Sequence, residues 1–244
     1  MKWKFGGANM FTGFPVETEQ YFLDIRFHNN AMYYHDNIDR YRKDVQAPFY
    51  ALIEDLVPAL LDIDPQMETR PYKILSRLRR DTRFTKDKTP YRDHLWTWFH
   101  RSGEPRENSL GFWFEYGPGR LMWGMGSWGD NRPLMDRMRR EFVARPSYYM
   151  GLIRGCGLTQ RHLILQADTW KRMEVPDCIP KELEPWYRIR GFSIMQTYPE
   201  LKEASQRDLM LHIRSDYQAM APIYRMLRGM QDALDAEQND IQTK

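Results

Sequence analysis

Apolar positions along this chain recur first at helical spacing, then at strand spacing, then at helical spacing again. Tyr21, Phe22 and Ile25 predict a helix, with Thr18 in the capping position and Asn29-Asn30 at its end. A second helix begins near Ala31, where Tyr34, Ile38, Tyr41 and Val45 fall on one stripe of a 3.6-residue period. Pro48 is expected to interrupt it, leaving PFYALIEDLVPALL as a further turn-rich helical stretch that ends at Asp62.

From Tyr72 the period shortens to two. KILSRLRR alternates roughly, with Ile74, Ser76 and Leu78 set against Leu75, Arg77 and Arg79. HLWTWFH (94–100) places His94, Trp96, Trp98 and His100 on one face and Leu95, Thr97 and Phe99 on the other. SLGFWFEY and RLMWGMG flank Gly117-Pro118-Gly119, a turn too short for a crossover, so 110–116 and 120–126 are expected as an antiparallel hairpin beside 94–100. Asn131 and Pro133 start a helix along Leu134, Met138 and Phe142. RHLILQA (161–167) and GFSIMQT (191–197) are late strands, and a long helix from about Ser205 to Ala236, with a kink at Pro222, closes the chain. The expected class is α+β: a mostly antiparallel sheet in the middle of the chain, packed by N-terminal helices and a long C-terminal helix. No repeat or linker divides it, so 1–244 is expected as a single globular domain.

Composition narrows the function classes. Lys and Arg number 36 against 33 Asp and Glu, a net charge of +3, so basic character must be local and a protein that coats nucleic acid wholesale is disfavoured. The two cysteines, Cys156 and Cys178, form no CxxC and no zinc spacing; they are expected as reduced, buried thiols. MKWKFGGANMF has no apolar signal region, and no stretch approaches a membrane span, so a cytoplasmic protein without a membrane partner is expected.

The densest chemistry lies in RLRRDTRFTKDKTP and the residues that follow it. Arg77, Arg79, Arg80, Arg83, Lys86, Lys88 and Arg92 stand against Asp81 and Asp87, a net charge of +5 over residues 77–92. Such a loop binds an anion through guanidinium and ammonium groups together with exposed backbone N–H groups. On that reading Arg77, Arg80, Arg83, Lys86 and Lys88 hold the anion, Asp81 and Asp87 orient them, and Tyr91 or His94 lines the wall. The opposing reading makes the same charges a set of ion pairs that pin a loop, with Glu54 or Asp55 completing the count.

Arg80-Asp81-x-Arg83-Phe84-Thr85-Lys86-Asp87-Lys88-Thr89-Pro90-Tyr91 resembles the signature RD-x-RF-[ST]-KDK-x-PY of family 2461 of the domains of unknown function. Asn29-Asn30, Asn37, Arg40 and Tyr41 resemble that family's helical NN…N..RY segment. Gly111 to Tyr116, Gly124-x-Gly126-x-Trp128 and Leu134 to Phe142 resemble its glycine-rich hairpin and following helix. The resemblance covers roughly residues 11–230. Ala31-Met32 and Tyr33-Tyr34 depart from the pattern, as does the region from Gln160 to Met173. The resemblance implies a shared fold and a shared central loop, and no reaction.

Other constellations are weaker. Trp96, Trp98, Trp113, Trp123 and Trp128 all fall in the expected sheet, as core or as a stacking platform. Six histidines show no HExxH and no HxH, and no GxSxG, P-loop or strand-linked GxGxxG is present, so no metal and no cofactor is expected. The leading expectation is a protein that binds a small, phosphorylated anion at the 77–94 loop. Behind it stand an enzyme acting on such a ligand, with His94 or Asp87 carrying the proton, and a module docking nucleic acid or an acidic partner.

Overall fold

The computed structural model of the protein describes residues 10–196 and 200–242. The N-terminal segment read above for a signal region, through residue 9, and Thr197 at the end of the last expected strand lie outside the described residues. The chain is α+β. Helices α1 (Val16–Phe27), α2 (Ala31–Asp36), α3 (Ile38–Arg40), α4 (Ala47–Ile63) and α5 (Pro71–Ile74) precede strands β1 (Leu95–Phe99), β2 (Leu110–Gly117) and β3 (Arg120–Ser127). Then follow α6 (Arg132–Ala144), α7 (Pro146–Gly155), β4 (Leu163–Thr169), α8 (Glu184–Tyr187), β5 (Ile189–Gln196) and α9 (Asp208–Gln242). The five strands form one sheet in the order β1-β2-β3-β5-β4, with β5 antiparallel to both β3 and β4.

The chain groups into two compact units. Of the described residues, the first takes those up to Phe99, the turn end of the hairpin (Trp113–Trp123) and 200–215; the second takes the other described residues. In the first unit, Phe14 sits among aromatic rings: Phe114 stacks on it at 5.8 Å, with Tyr116 at 4.6 Å and Phe49 at 4.8 Å. Each such ring removed from water contributes roughly 1.5–3 kcal/mol. Phe14 is anchored by its own amide, which donates to the Ala204 carbonyl at 2.7 Å. The preceding Gly13 has φ +105°, and a β-carbon there would lie 2.2 Å from the Ser205 carbonyl oxygen, so only glycine permits this approach. In the second unit Phe112 packs on Tyr217 and Tyr224, at 4.8 and 5.2 Å.

Gly124 and Gly126 of the glycine-rich hairpin have a packing role. A β-carbon at either would fall within 2.1–2.4 Å of the Ile194 or Phe192 carbonyl oxygen. β3 and β5 pair across this point, Gly124 opposite Met195 and Gly126 opposite Ser193.

Four local expectations are corrected. Thr18 does not cap α1; Pro15 holds that position, and the buried Thr18 hydroxyl instead donates to the Asp44 carbonyl. Pro48 does not interrupt its helix. A π-helical segment, Tyr41–Gln46, precedes α4 and places Pro48 in α4's first turn, where an absent N–H costs little. Residues 72–79 form no regular strand. Pro71 opens the short helix α5, and among the described residues the chain beyond it pairs with its neighbour in strand fashion at two isolated bridges, Leu75–Thr97 and Arg79–Tyr91. Of the two thiols, both free, Cys156 is buried and Cys178 is exposed. The hairpin, the late strands, the Asn131 cap on α6 and the long C-terminal helix, which runs through Pro222, match the sequence pattern.

Candidate functional site

Residues 75–80 and 90–97 run back antiparallel as an irregular arm, and the cationic stretch 81–89 is the loop at its tip. Ser76 donates to the Trp96 carbonyl at 2.8 Å, Arg92 to Leu78 at 2.9 Å, and Arg80 to Pro90 at 2.8 Å. Arg79 and Tyr91 thus face each other as a non-hydrogen-bonded pair, which turns the Tyr91 N–H and C=O away from the arm. Asn29, 62 positions away, takes both: its Nδ2 donates to the Tyr91 carbonyl and its Oδ1 accepts from the Tyr91 amide, each at 2.9 Å. Tyr34 stacks on the Tyr91 ring at 4.8 Å, and Arg26 pairs with Asp93 at 2.7 Å. The helical NN segment and the central loop therefore meet at one place.

At the tip both aspartates are committed within the loop. Asp81 accepts from the Arg83 amide at 3.1 Å and from its guanidinium at 2.7 Å. Asp87 accepts from the Thr89 amide at 2.9 Å and pairs with Arg80, whose guanidinium also reaches the Thr89 hydroxyl at 2.8 Å. Each carboxylate closes a turn onto the amide two residues on, the local bonding that aspartate favours. These contacts press both carboxyls down to about 2: for Asp81 the Arg83 guanidinium is the main cause, for Asp87 the Thr89 amide.

Five cations remain without a carboxylate partner among the described residues: Arg77, Arg79, Lys86, Lys88 and Arg92. The Lys88 ammonium donates to the Thr82 carbonyl at 2.8 Å. Arg92 donates to the Arg77 and Arg79 carbonyls, both at 2.9 Å, and lies 4.7 Å over the Trp96 ring. Burial, and then the nearby Arg80, press its pKa downward. Asp55 does not complete the neutralisation; it accepts from the Phe11 amide instead. Phe84 is 90% exposed at the tip, with the Arg83 guanidinium 5.5 Å from its ring centre.

Among the expected site residues, the structure groups Arg80 with Asp87 and Arg83 with Asp81, and leaves Arg77 and Lys86 exposed. Tyr91 is buried at the base of the arm, where it anchors rather than lines. His94 is half-buried: its Nδ1 lies 2.8 Å from Asp93, and its Nε2 lies 3.8 Å from Glu115. Because an ionised carboxylate only accepts, Nδ1 carries the proton in that bond. Burial works to raise the Asp93 pKa, and the bonds from His94 and Arg26 outweigh it and lower the pKa. Sequence reasoning missed Asn29 as the clamp, along with Asp93, Glu115 and the exposed ring of Phe84. Only the paired asparagines gave a signal. Among the described residues, no group of three or more His, Cys, Asp or Glu side chains is placed to hold a metal ion, and no helix is long and apolar enough to cross a membrane.

Fold and surface together define a class: an α+β protein with a five-stranded antiparallel sheet that carries an exposed cationic loop on a clamped arm. Within that class the chain belongs to the DUF2461 family, described as a conserved hypothetical protein, whose family model matches residues 17–226. Neither the curated proteins nor the solved structures contain a match.

Proposed function

We propose that this is a binding protein for a phosphate-bearing anion, held at the tip of the 77–94 arm, and that it works in the cytoplasm, where thiols such as the free Cys156 and Cys178 stay reduced. The observation that carries the reading is the charge balance at the loop: both local aspartates are spent on Arg80 and Arg83, while five cations have no carboxylate partner among the described residues. Arg77, Lys86 and Lys88 supply the charge, and Arg80 and Arg83 present guanidinium groups already held in place by Asp87 and Asp81. Fixed guanidinium groups lose little freedom when they take up a phosphate. Tyr91 contributes by holding the base of the arm.

A thermal-shift titration with pyrophosphate tests this. At a hundredfold excess over the dissociation constant, a ligand of the native state adds about 2.7 kcal/mol, which for a chain of this size raises Tm by roughly 5–10 °C. Arg77→Ala combined with Lys86→Ala should abolish the shift and leave the ligand-free Tm unchanged, because neither side chain has a bonded partner among the described residues. A flat response to pyrophosphate, nucleoside triphosphates and single-stranded oligonucleotides alike would retire the proposal. Response to oligonucleotides alone would move the reading to nucleic acid, for which the exposed ring of Phe84 is suited.

The Asp93–His94 pair favours a second reading, an enzyme acting on the bound phosphoester. A histidine oriented by a carboxylate is a standard proton carrier. Phosphate release from a panel of phosphomonoesters, lost in His94→Gln while pyrophosphate binding survives, would support it; no release from any of them would leave a binding protein.

A further inference from the structure

We propose that the groove between α6–α7 and α9 is a second binding site, built for a small amphipathic monoanion: a carboxylate attached to a compact apolar body. The groove is shallow and open to solvent, with a volume of about 540 Å³, room for a small molecule. It lies wholly within the second compact unit and shares no residue with the 77–94 arm.

Its floor is one stripe of α9. Met226, Gly229, Met230 and Ala233 follow the three-and-four spacing of a helix face, and all four line the groove. A β-carbon at Gly229 would meet nothing within 4 Å, so the floor is open there. Glycine inside a 35-residue helix lowers its stability, and no turn or close backbone approach requires one at this position. Its effect is to leave room. Tyr148 of α7, 58% exposed, forms an aromatic wall.

The rim selects the charge. Among the described residues that line it, Arg137 and Arg145 face one carboxylate, Glu141. That carboxylate is already engaged, since one oxygen accepts from the Arg145 Nη2 at 2.6 Å and from the Tyr149 hydroxyl at 2.8 Å. Arg137 pairs with Glu237 at 2.8 Å, and its Nε lies 3.8 Å from the other Glu141 oxygen. Arg145 is different. Its guanidinium is held 5.2 Å from the centres of both the Tyr148 and Tyr149 rings, yet only Nη2 is bonded. Nε and Nη1 have no partner among the described residues. A carboxylate can be bound by that remaining donor edge, with the apolar body lying over Gly229 and Met226. A cation of the same shape would meet the guanidinium directly.

The test uses 8-anilinonaphthalene-1-sulfonate fluorescence on the full chain, with decanoate and decylammonium as competitors. Decanoate should displace the dye from wild type and decylammonium should not. Gly229→Leu projects into the open floor, where a β-carbon meets nothing within 4 Å, and removes a helix-interior glycine, so its Tm should hold or rise while decanoate affinity falls at least tenfold. Arg145→Gln should bring decanoate and decylammonium to similar, weak affinities. Pyrophosphate should displace nothing, and the Arg77/Lys86 double variant should behave as wild type, which separates this site from the loop. Wild-type decanoate affinity in Gly229→Leu, equal competition by decylammonium against wild type, or no decanoate binding at all would each overturn the proposal. In the last case, capture of an acidic helical peptide would reassign the groove to a protein partner.

Discussion

Asn29 and Asn30 are neighbours of identical chemistry, and the structure gives them very different weight. Asn30 caps α2, accepting from the Tyr33 amide at 2.9 Å on an exposed six-residue helix. Loss of such a cap typically costs about 0.5–2 kcal/mol, and a short solvent-facing helix belongs at the low end. Asn29 satisfies both main-chain groups of Tyr91, a residue only 6% exposed. In Asn29→Ala, two part-buried backbone groups lose their partners at once. An orphaned buried group costs about 1–3 kcal/mol, and partial access to water trims that, so the pair should cost roughly 2–4 kcal/mol. Against a typical total of about 5–15 kcal/mol, this is a large fraction. Urea unfolding followed by tryptophan fluorescence should give Asn29→Ala a clearly lower midpoint at unchanged slope, with Asn30→Ala close to wild type. Asn29→Asp should rescue little, because a carboxylate accepts from the Tyr91 amide but faces its carbonyl without a donor. Pyrophosphate affinity should fall with Asn29→Ala, since the base of the arm is released. Equal midpoints for Asn29→Ala and Asn30→Ala would refute the clamp.

Two further outcomes follow from buried charge. Arg228 is 4% exposed and bonds Asp232 at 2.7 Å and Glu104 at 3.0 Å; Arg228→Ala should cost about 2–3 kcal/mol by calorimetry, below a fully buried pair because the freed carboxylates are partly exposed and rehydrate. Burial works to raise the Glu68 pKa, but bonds from the Arg70 side chain and amide overcome it and bring it from 4.5 down to about 2. A folded pKa below the unfolded one gives stability that is present above pH 4.5 and lost as pH falls toward 2. The Tm of wild type should therefore fall further across that window than the Tm of Glu68→Gln, and parallel curves would count against the assignment.

The chain's periodicity decided the class of fold. The hairpin at 110–127 was legible because alternating aromatics bracket a turn that glycine and proline dictate, and the helix from Asn131 because its cap and stripe are local. Local signals also misled. Thr18 has the chemistry of a cap, but its hydroxyl finds a carbonyl 26 positions away. Lys73–Arg79 alternates as a strand would, yet Pro71 starts a helical turn and the pairing beyond it is broken into isolated bridges. Pro48 reads as a break until a π-helical segment shifts the register before it.

The loop's charge and its turn-forming aspartates are properties of adjacent residues, so the sequence alone located them. Which cations stay without a carboxylate, and what holds the arm, depend on partners 15 to 67 positions away: Arg92 on the Arg77 carbonyl, Arg26 on Asp93, Asn29 on Tyr91. The α9 groove was equally invisible. A glycine within a long helix looks like a weakness in sequence, and becomes an opening only where α6 and α7 set tyrosine and arginine around it. Local patterns report the bonds a residue makes with its chain neighbours. The surfaces left over for ligands are decided by contacts between segments far apart in sequence, which only the folded structure brings together.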